Sequence, residues 1–135
     1  MTLVVPDASV LLKWVLPAEK EPHVAEALMV RDAFLDGKLH LLVPTLWFYE
    51  VGNVLAIHHP DSSAERFTAL MNFEIPEAAP HGRWLNTILN IVKKYGVSFY
   101  DASYHALAIF EKGVFVTADA RYLRKVGSGQ AIRHV

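Results

Sequence analysis

No cysteine occurs in the 135 residues, which excludes a disulfide framework, a thiolate metal site and a thiol nucleophile. A cytoplasmic protein is expected. Long apolar runs are missing as well: no stretch reaches the roughly 18 residues of a membrane span. The opening MTLVVPDASVLLKW has no basic leader region and is cut by Pro6 and Asp7, so no membrane association is expected. Nor is there an excess of positive charge. With 13 basic and 14 acidic side chains the net charge is −1, and no global field draws in a polyanion. A nucleic-acid partner needs a local basic patch, for which Arg121, Arg124, Lys125 and Arg133 are the candidates, against the simpler reading of a solvated helix face. The sequence contains no internal repeat, low-complexity segment or linker, and no H-E-x-x-H zinc pattern. His58, His59 and His105 are therefore read as structural.

What is present is apolar: 53% of the residues are hydrophobic, slightly above the usual range, which argues for a compact interior or an apolar subunit interface. A chain of this length buries roughly 68% of its unfolded surface and forms one domain over residues 1–135. TLVVPD reads as a strand ending at Asp7, followed directly by a short helix, ASVLLKWVLP, ended by Pro17. EPHVAEALMVRDAFLDG is the next helix, with Pro22 at a first helical position and Gly37 as its C-terminal cap. HLLV (40–43) is a second strand, and SSAERFTALMNF opens on a Ser62/Glu65 capping-box spacing. EIPEAAPHG (74–82) is a connection that hides a short edge strand. RWLNTILNIVKKYG and SFYDASYHALAIFEKG are helices closed by Gly96 and Gly113, VFVT is a buried parallel strand, ARYLRKV a last helix and AIRHV a final strand. Alternating strands and helices give an α/β fold with a central, mostly parallel sheet of four to five strands flanked by helices.

Carboxylates sit where elements hand over to helices: Asp7 in VVPDAS, Asp101 in SFYDAS and Asp119 in VTADAR. Helix capping accounts for each singly, Asp101 lying three residues after Ser98. Asp7 and Asp119 follow parallel strands and so share the carboxyl rim of the sheet, the edge where ligands bind. Asp101 begins the helix before VFVT, which puts it at the opposite pole unless that helix is set across the rim. Spacing does not decide between these placements.

Glu50, in TLWFYEVGNVLAI, is different. Trp47, Val51, Val54 and Leu55 fill one face of that helix, and Leu46 and Ile57 continue it around, leaving little surface for water. Glu50 lies past the first turn and is no cap. A buried carboxylate needs a cation or a donor, and clustered carboxylates repel unless a divalent ion joins them. Oxygen-only ligation matches Mg²⁺, or Mn²⁺, better than zinc, and the chemistry indicated is metal-assisted phosphodiester hydrolysis.

VVPDASVLLKWVLP, PTLWFYEVGNVL, SFYDASYHALA and FVTADARYL, in that order, resemble the four acidic motifs of the PIN-domain ribonucleases, most closely the VapC-type toxins of prokaryotic toxin–antitoxin pairs. The resemblance implies that Asp7, Glu50, Asp101 and Asp119 gather at the edge of a parallel sheet as catalytic and metal-holding residues. It further implies that Ser9 and Thr117 support the ligands with hydroxyls, and that Asn53 is a polar neighbour of Glu50. The implied protein is a Mg²⁺-dependent endoribonuclease leaving a 5′-phosphate and a 3′-hydroxyl. Its expected partners are RNA, a cognate antitoxin and a second copy of itself. Two other readings remain at this stage. A receiver-like signalling domain predicts paired acids after the first strand and a lysine after the last, whereas VVPDAS has one acid and AIRHV no lysine. A catalytically silent RNA-binding or interaction module would keep the pocket, and a metal titration with a generic RNA separates it from an enzyme.

Overall fold

The two most β-branched runs of the chain lie side by side at the centre of the computed structural model, which describes residues 1–127 and 132–135. In chain order the elements are β1 (Leu3–Pro6), α1 (Ala8–Lys13), α2 (Val24–Leu35), β2 (His40–Leu41), β3 (Val43–Pro44), α3 (Leu46–His58) and α4 (Ser63–Met71). They continue with β4 (Glu77–Ala78), α5 (Gly82–Tyr95), α6 (Phe99–Phe110), β5 (Val114–Thr117), α7 (Ala120–Val126) and β6 (Ile132–His134). A 3₁₀ turn at Ala18–Lys20 joins α1 to α2. The four-stranded sheet has the order β2-β1-β5-β6, parallel throughout, with Val4, Val5 and Pro6 of β1 opposite Val114, Phe115 and Val116 of β5. Both central strands are almost fully buried, as the sides of a helix-covered parallel sheet are.

The run HLLV is not one strand. Leu42 donates its N–H to Val4 of β1, while Val43 donates to Pro76, so the chain changes partner between these residues. β3 thereby pairs in parallel with β4, the short strand expected within residues 74–82, as a separate two-stranded sheet. At the other end, Ala131 of AIRHV lies outside the described residues, and β6 occupies Ile132–His134.

The best-patterned helix is α5, which buries Trp84, Ile88 and Ile91 on one face, carries Lys93 and Lys94 in its last turn and ends at Gly96 in the left-handed region (φ 65). It packs on α6, whose residues Ala102 to Ala108 are all buried. α6 in turn lies against β1, β3 and β5. Its turn into β5 differs from expectation: Lys112, not Gly113, takes the left-handed conformation (φ 56), and Gly113 closes the helix through an N–H bond to Ala108. Gly113 is needed for another reason. A Cβ there would sit 2.7 Å from the carbonyl oxygen of Leu3, so only glycine admits the approach of β5 to β1.

Three further expectations about helix ends are corrected. α2 starts at Val24, because His23 rather than Pro22 forms the entry, in a left-handed conformation (φ 57). α1 stops at Lys13, well before Pro17, where Trp14 anchors its indole N–H on the Ala27 carbonyl at 2.9 Å and Lys13 is buried on Glu21 at 3.0 Å. The Ser62/Glu65 box does not close: the Ser62 hydroxyl accepts from Arg66 Nε at 2.8 Å and makes no capping bond. Gly37, by contrast, ends α2 as expected, with Gly37 N–H on Phe34 and Lys38 N–H on Ala33.

The helix around Glu50 gives more surface to water than its composition indicates. Trp47, Val51 and Leu55 are buried, but Phe48, Tyr49 and Ile57 are 44%, 71% and 62% exposed. Ile57 does not continue the buried face.

Candidate active site

Asp7 closes β1 and opens α1. Its N–H extends the β1–β5 pairing to Val116, and its side chain caps α1 on Val10 N–H at 3.3 Å. Capping is only part of its environment. Ser9 donates to Oδ1 at 2.5 Å and Thr117, the last residue of β5, donates to Oδ2 at 2.6 Å. The same two hydroxyls accept from the next backbone segment, Ser9 from Ala118 N–H at 2.9 Å and Thr117 from Asp119 N–H at 2.9 Å. Burial pushes the Asp7 carboxyl up to about 6 despite these donors, with the neighbouring Asp101 charge adding to it.

Asp119 follows β5 as Asp7 follows β1, and caps α7 through Oδ1 on the N–H groups of Arg121 (3.0 Å) and Tyr122 (3.1 Å). Asp101 sits in the first turn of α6, where its N–H is capped by Ser98 at 3.0 Å. It is at the carboxyl rim, not the opposite pole. A twelve-residue helix that folds back onto the strand after it returns its own start to that strand's far end, over about 18 Å at 1.5 Å per residue.

Glu50 completes the arrangement from α3. Asp7, Glu50, Asp101 and Asp119, with Ser9, Asn53 and Tyr104, line one cavity of about 320 Å³. Burial raises both Glu50 and Asp101 above the usual carboxylate range. Asn53 lies on the exposed wall of this cavity, one turn beyond Glu50. Among the described residues no three acidic or histidine side chains converge at direct-ligand geometry; the carboxylates surround a space rather than a point.

A family profile described as PIN domain matches residues 4–128. The chain belongs to the PIN domain family. Members of this family are in general nucleases. Among solved structures the fold resembles PAE2754 from Pyrobaculum aerophilum (TM-score 0.70, 21% identity, covering 99% of this chain and 90% of that one). It also resembles a chain of a toxin–antitoxin complex from Klebsiella pneumoniae (0.68, 12%, 96% and 95%). A third similar chain belongs to VapBC2 from Rickettsia felis, bound to a DNA fragment from their promoter (0.69, 9%, 98% and 98%). No curated protein matches in sequence. Family membership removes the receiver-like reading.

The histidines of this PIN domain stay outside the acidic cavity. His105 stacks on Phe115 and hydrogen-bonds the Tyr122 hydroxyl at 2.8 Å, and its burial lowers its pKa. His58 is exposed at the end of α3 and His59 caps that helix. The four basic candidates do not form one patch: Arg121 and Lys125 line a recess with Asp101 and Asp119, Arg133 lines a different groove with His134, and Arg124 lies exposed on α7.

One cavity residue escaped the sequence reading. Tyr104 is 1% exposed, and its hydroxyl, like Glu50 Oε1, is buried with no hydrogen-bond partner. Burial, then the Glu50 charge, hold the phenol far above its ordinary pKa, so it stays a protonated donor. The available signal was its place one turn after Asp101 on the same helix.

Proposed function

We propose that this PIN domain is a Mg²⁺-dependent endoribonuclease, with Mn²⁺ as a substitute, acting in the cytoplasm as the toxin of a toxin–antitoxin pair. The observation that carries the reading is the cavity itself: carboxylates from four separated segments share one rim, and one of them, Glu50, keeps a buried oxygen without a partner. The donor set fits a hard cation. It is all oxygen, burial and neighbouring carboxylates raise the pKa of Asp7, Glu50 and Asp101, and Mg²⁺ usually retains waters and binds through one or two carboxylates. Asp7, Asp101 and Asp119 would hold it, with Glu50 completing the set.

An ion held by these residues would supply activation of water as a nucleophile and would shield the incoming phosphate from the acids. The chain's own residues do the positioning. Ser9 and Thr117 lock both oxygens of Asp7, and the α7 cap fixes Asp119. Glu50 orients the attacking water, while Arg121 and Lys125, beside Asp101 and Asp119, meet the RNA backbone. Attack by water leaves a 5′-phosphate and a 3′-hydroxyl. The toxin role draws support from the toxin–antitoxin assemblies among the similar structures. A homodimer draws support from the exposed Tyr49, Leu85, Phe99 and Tyr100, which surround an apolar cavity of about 530 Å³.

Incubation with a single-stranded RNA and Mg²⁺ tests the proposal. Cleavage is expected in the wild type and at least a hundredfold less in Asp7→Asn and in Asp101→Asn, with circular dichroism unchanged. Equal cleavage by both variants would overturn the assignment. Metal-dependent RNA binding without cleavage by the wild type would favour the silent module.

A further inference from the structure

Two buried polar atoms belong to residues lining the acidic cavity and have no hydrogen-bond partner: Glu50 Oε1, an acceptor, and the Tyr104 hydroxyl, a donor. Buried polar atoms left this way are rare in folded proteins, and each has a reason. Packing is not the reason for the hydroxyl. The ring of Tyr104 sits in the buried middle of α6, where phenylalanine would fill the same space without stranding an oxygen. The charges that act on it are carboxylates, Glu50 most strongly and then Asp7 and Asp101, and all three line the same cavity. A neutral donor among carboxylates restrains one of them without adding a positive charge that would compete with a cation. Lysine or arginine in its place would neutralise the cluster instead.

We propose that Tyr104 is a positioning residue for Glu50: its hydroxyl donates to Glu50 Oε1, directly or through one water, and turns the other carboxylate oxygen toward the reacting water. This rests on the nuclease reading of the cavity. It gives α6 two tasks one helical turn apart, presenting Asp101 to the ion and holding the acid contributed by α3.

Tyr104→Phe, Glu50→Gln and the double variant form the test, read in two ways. With Mg²⁺ and a single-stranded RNA oligonucleotide, Tyr104→Phe lowers kcat about tenfold, the loss of one hydrogen bond to a charged group, and leaves KM unchanged. By thermal melting without RNA, Tyr104→Phe is compared with wild type in chelator and again with Mg²⁺. Its melting temperature then rises less on adding Mg²⁺, and the double variant loses no more of that rise than Glu50→Gln alone. Additive losses in the double variant overturn the proposal, as does a Tyr104→Phe protein with wild-type kcat and wild-type Mg²⁺ response. If the wild type cleaves no RNA, the nuclease reading fails by itself, and the melting cycle still decides whether the two side chains act as a unit.

Discussion

Asp7 carries two incompatible demands, and its hydrogen bonds show how they are met. As a cap and an acceptor from Ser9 and Thr117 it is better charged; as a buried group beside Asp101 it is better neutral, and burial wins, raising it to about 6. The folded state therefore holds this proton more tightly than the unfolded chain, whose carboxyl titrates near 3.8. Without a divalent ion, the stability that Asp7 contributes is fully present below about 4 and is lost as pH rises through about 6. The loss amounts to at most about 3 kcal/mol for a displacement of about two pH units. Thermal melts in chelator between pH 4 and 7.5 should show this decline in the wild type and a flatter profile in Asp7→Asn. Glu50→Gln, which removes a second buried charge, should raise the melting temperature in chelator at pH 7.5; a fall there would count against a buried, uncompensated Glu50.

The elements differ in how openly the sequence declares them. β1 and β5 were legible because a parallel sheet buries both faces and leaves unbroken Val-rich runs, and α5 because its apolar positions keep a helical period up to a glycine stop. Asp7 and Asp119 were legible because capping acids mark where strands give way to helices. A change of partner within one short run leaves no such trace: nothing in HLLVP announces that Leu42 belongs to one sheet and Val43 to another. The same limit hid the exposure of Phe48, Tyr49 and Ile57, since composition records what is apolar and not what packs against it. Spacing left Asp101 open between two placements for want of one geometric step, the return path of a helix along its following strand. Gly113 looked like an ordinary stop signal, yet its work is to admit Leu3. Gly113→Ala should accordingly cost about 1–3 kcal/mol, read as a lower denaturant midpoint with the slope unchanged, because the methyl meets rigid backbone and not a flexible side chain.

Taken together, the molecule pairs an acidic cavity with a small basic margin and a net charge of −1. On the proposed reading, attraction of RNA is local, delivered by Arg121 and Lys125 and not by the overall field. Replacing both with glutamine should weaken RNA binding similarly for unrelated sequences and reduce the slope of log K against log salt by about 1.4, at roughly 0.7 per lost contact to a single strand. A slope equal to the wild type would remove these side chains from the RNA path.

The bond from Thr117 to Asp7 joins positions 110 residues apart. β1 enters the sheet between β2 and β5, so its second neighbour is synthesised long after the first. A nascent chain still inside the ribosome thus holds Asp7 with no Thr117 to clamp it and no Asp119 beside it. On the proposed reading, the cleaving centre cannot form until translation has passed residue 119.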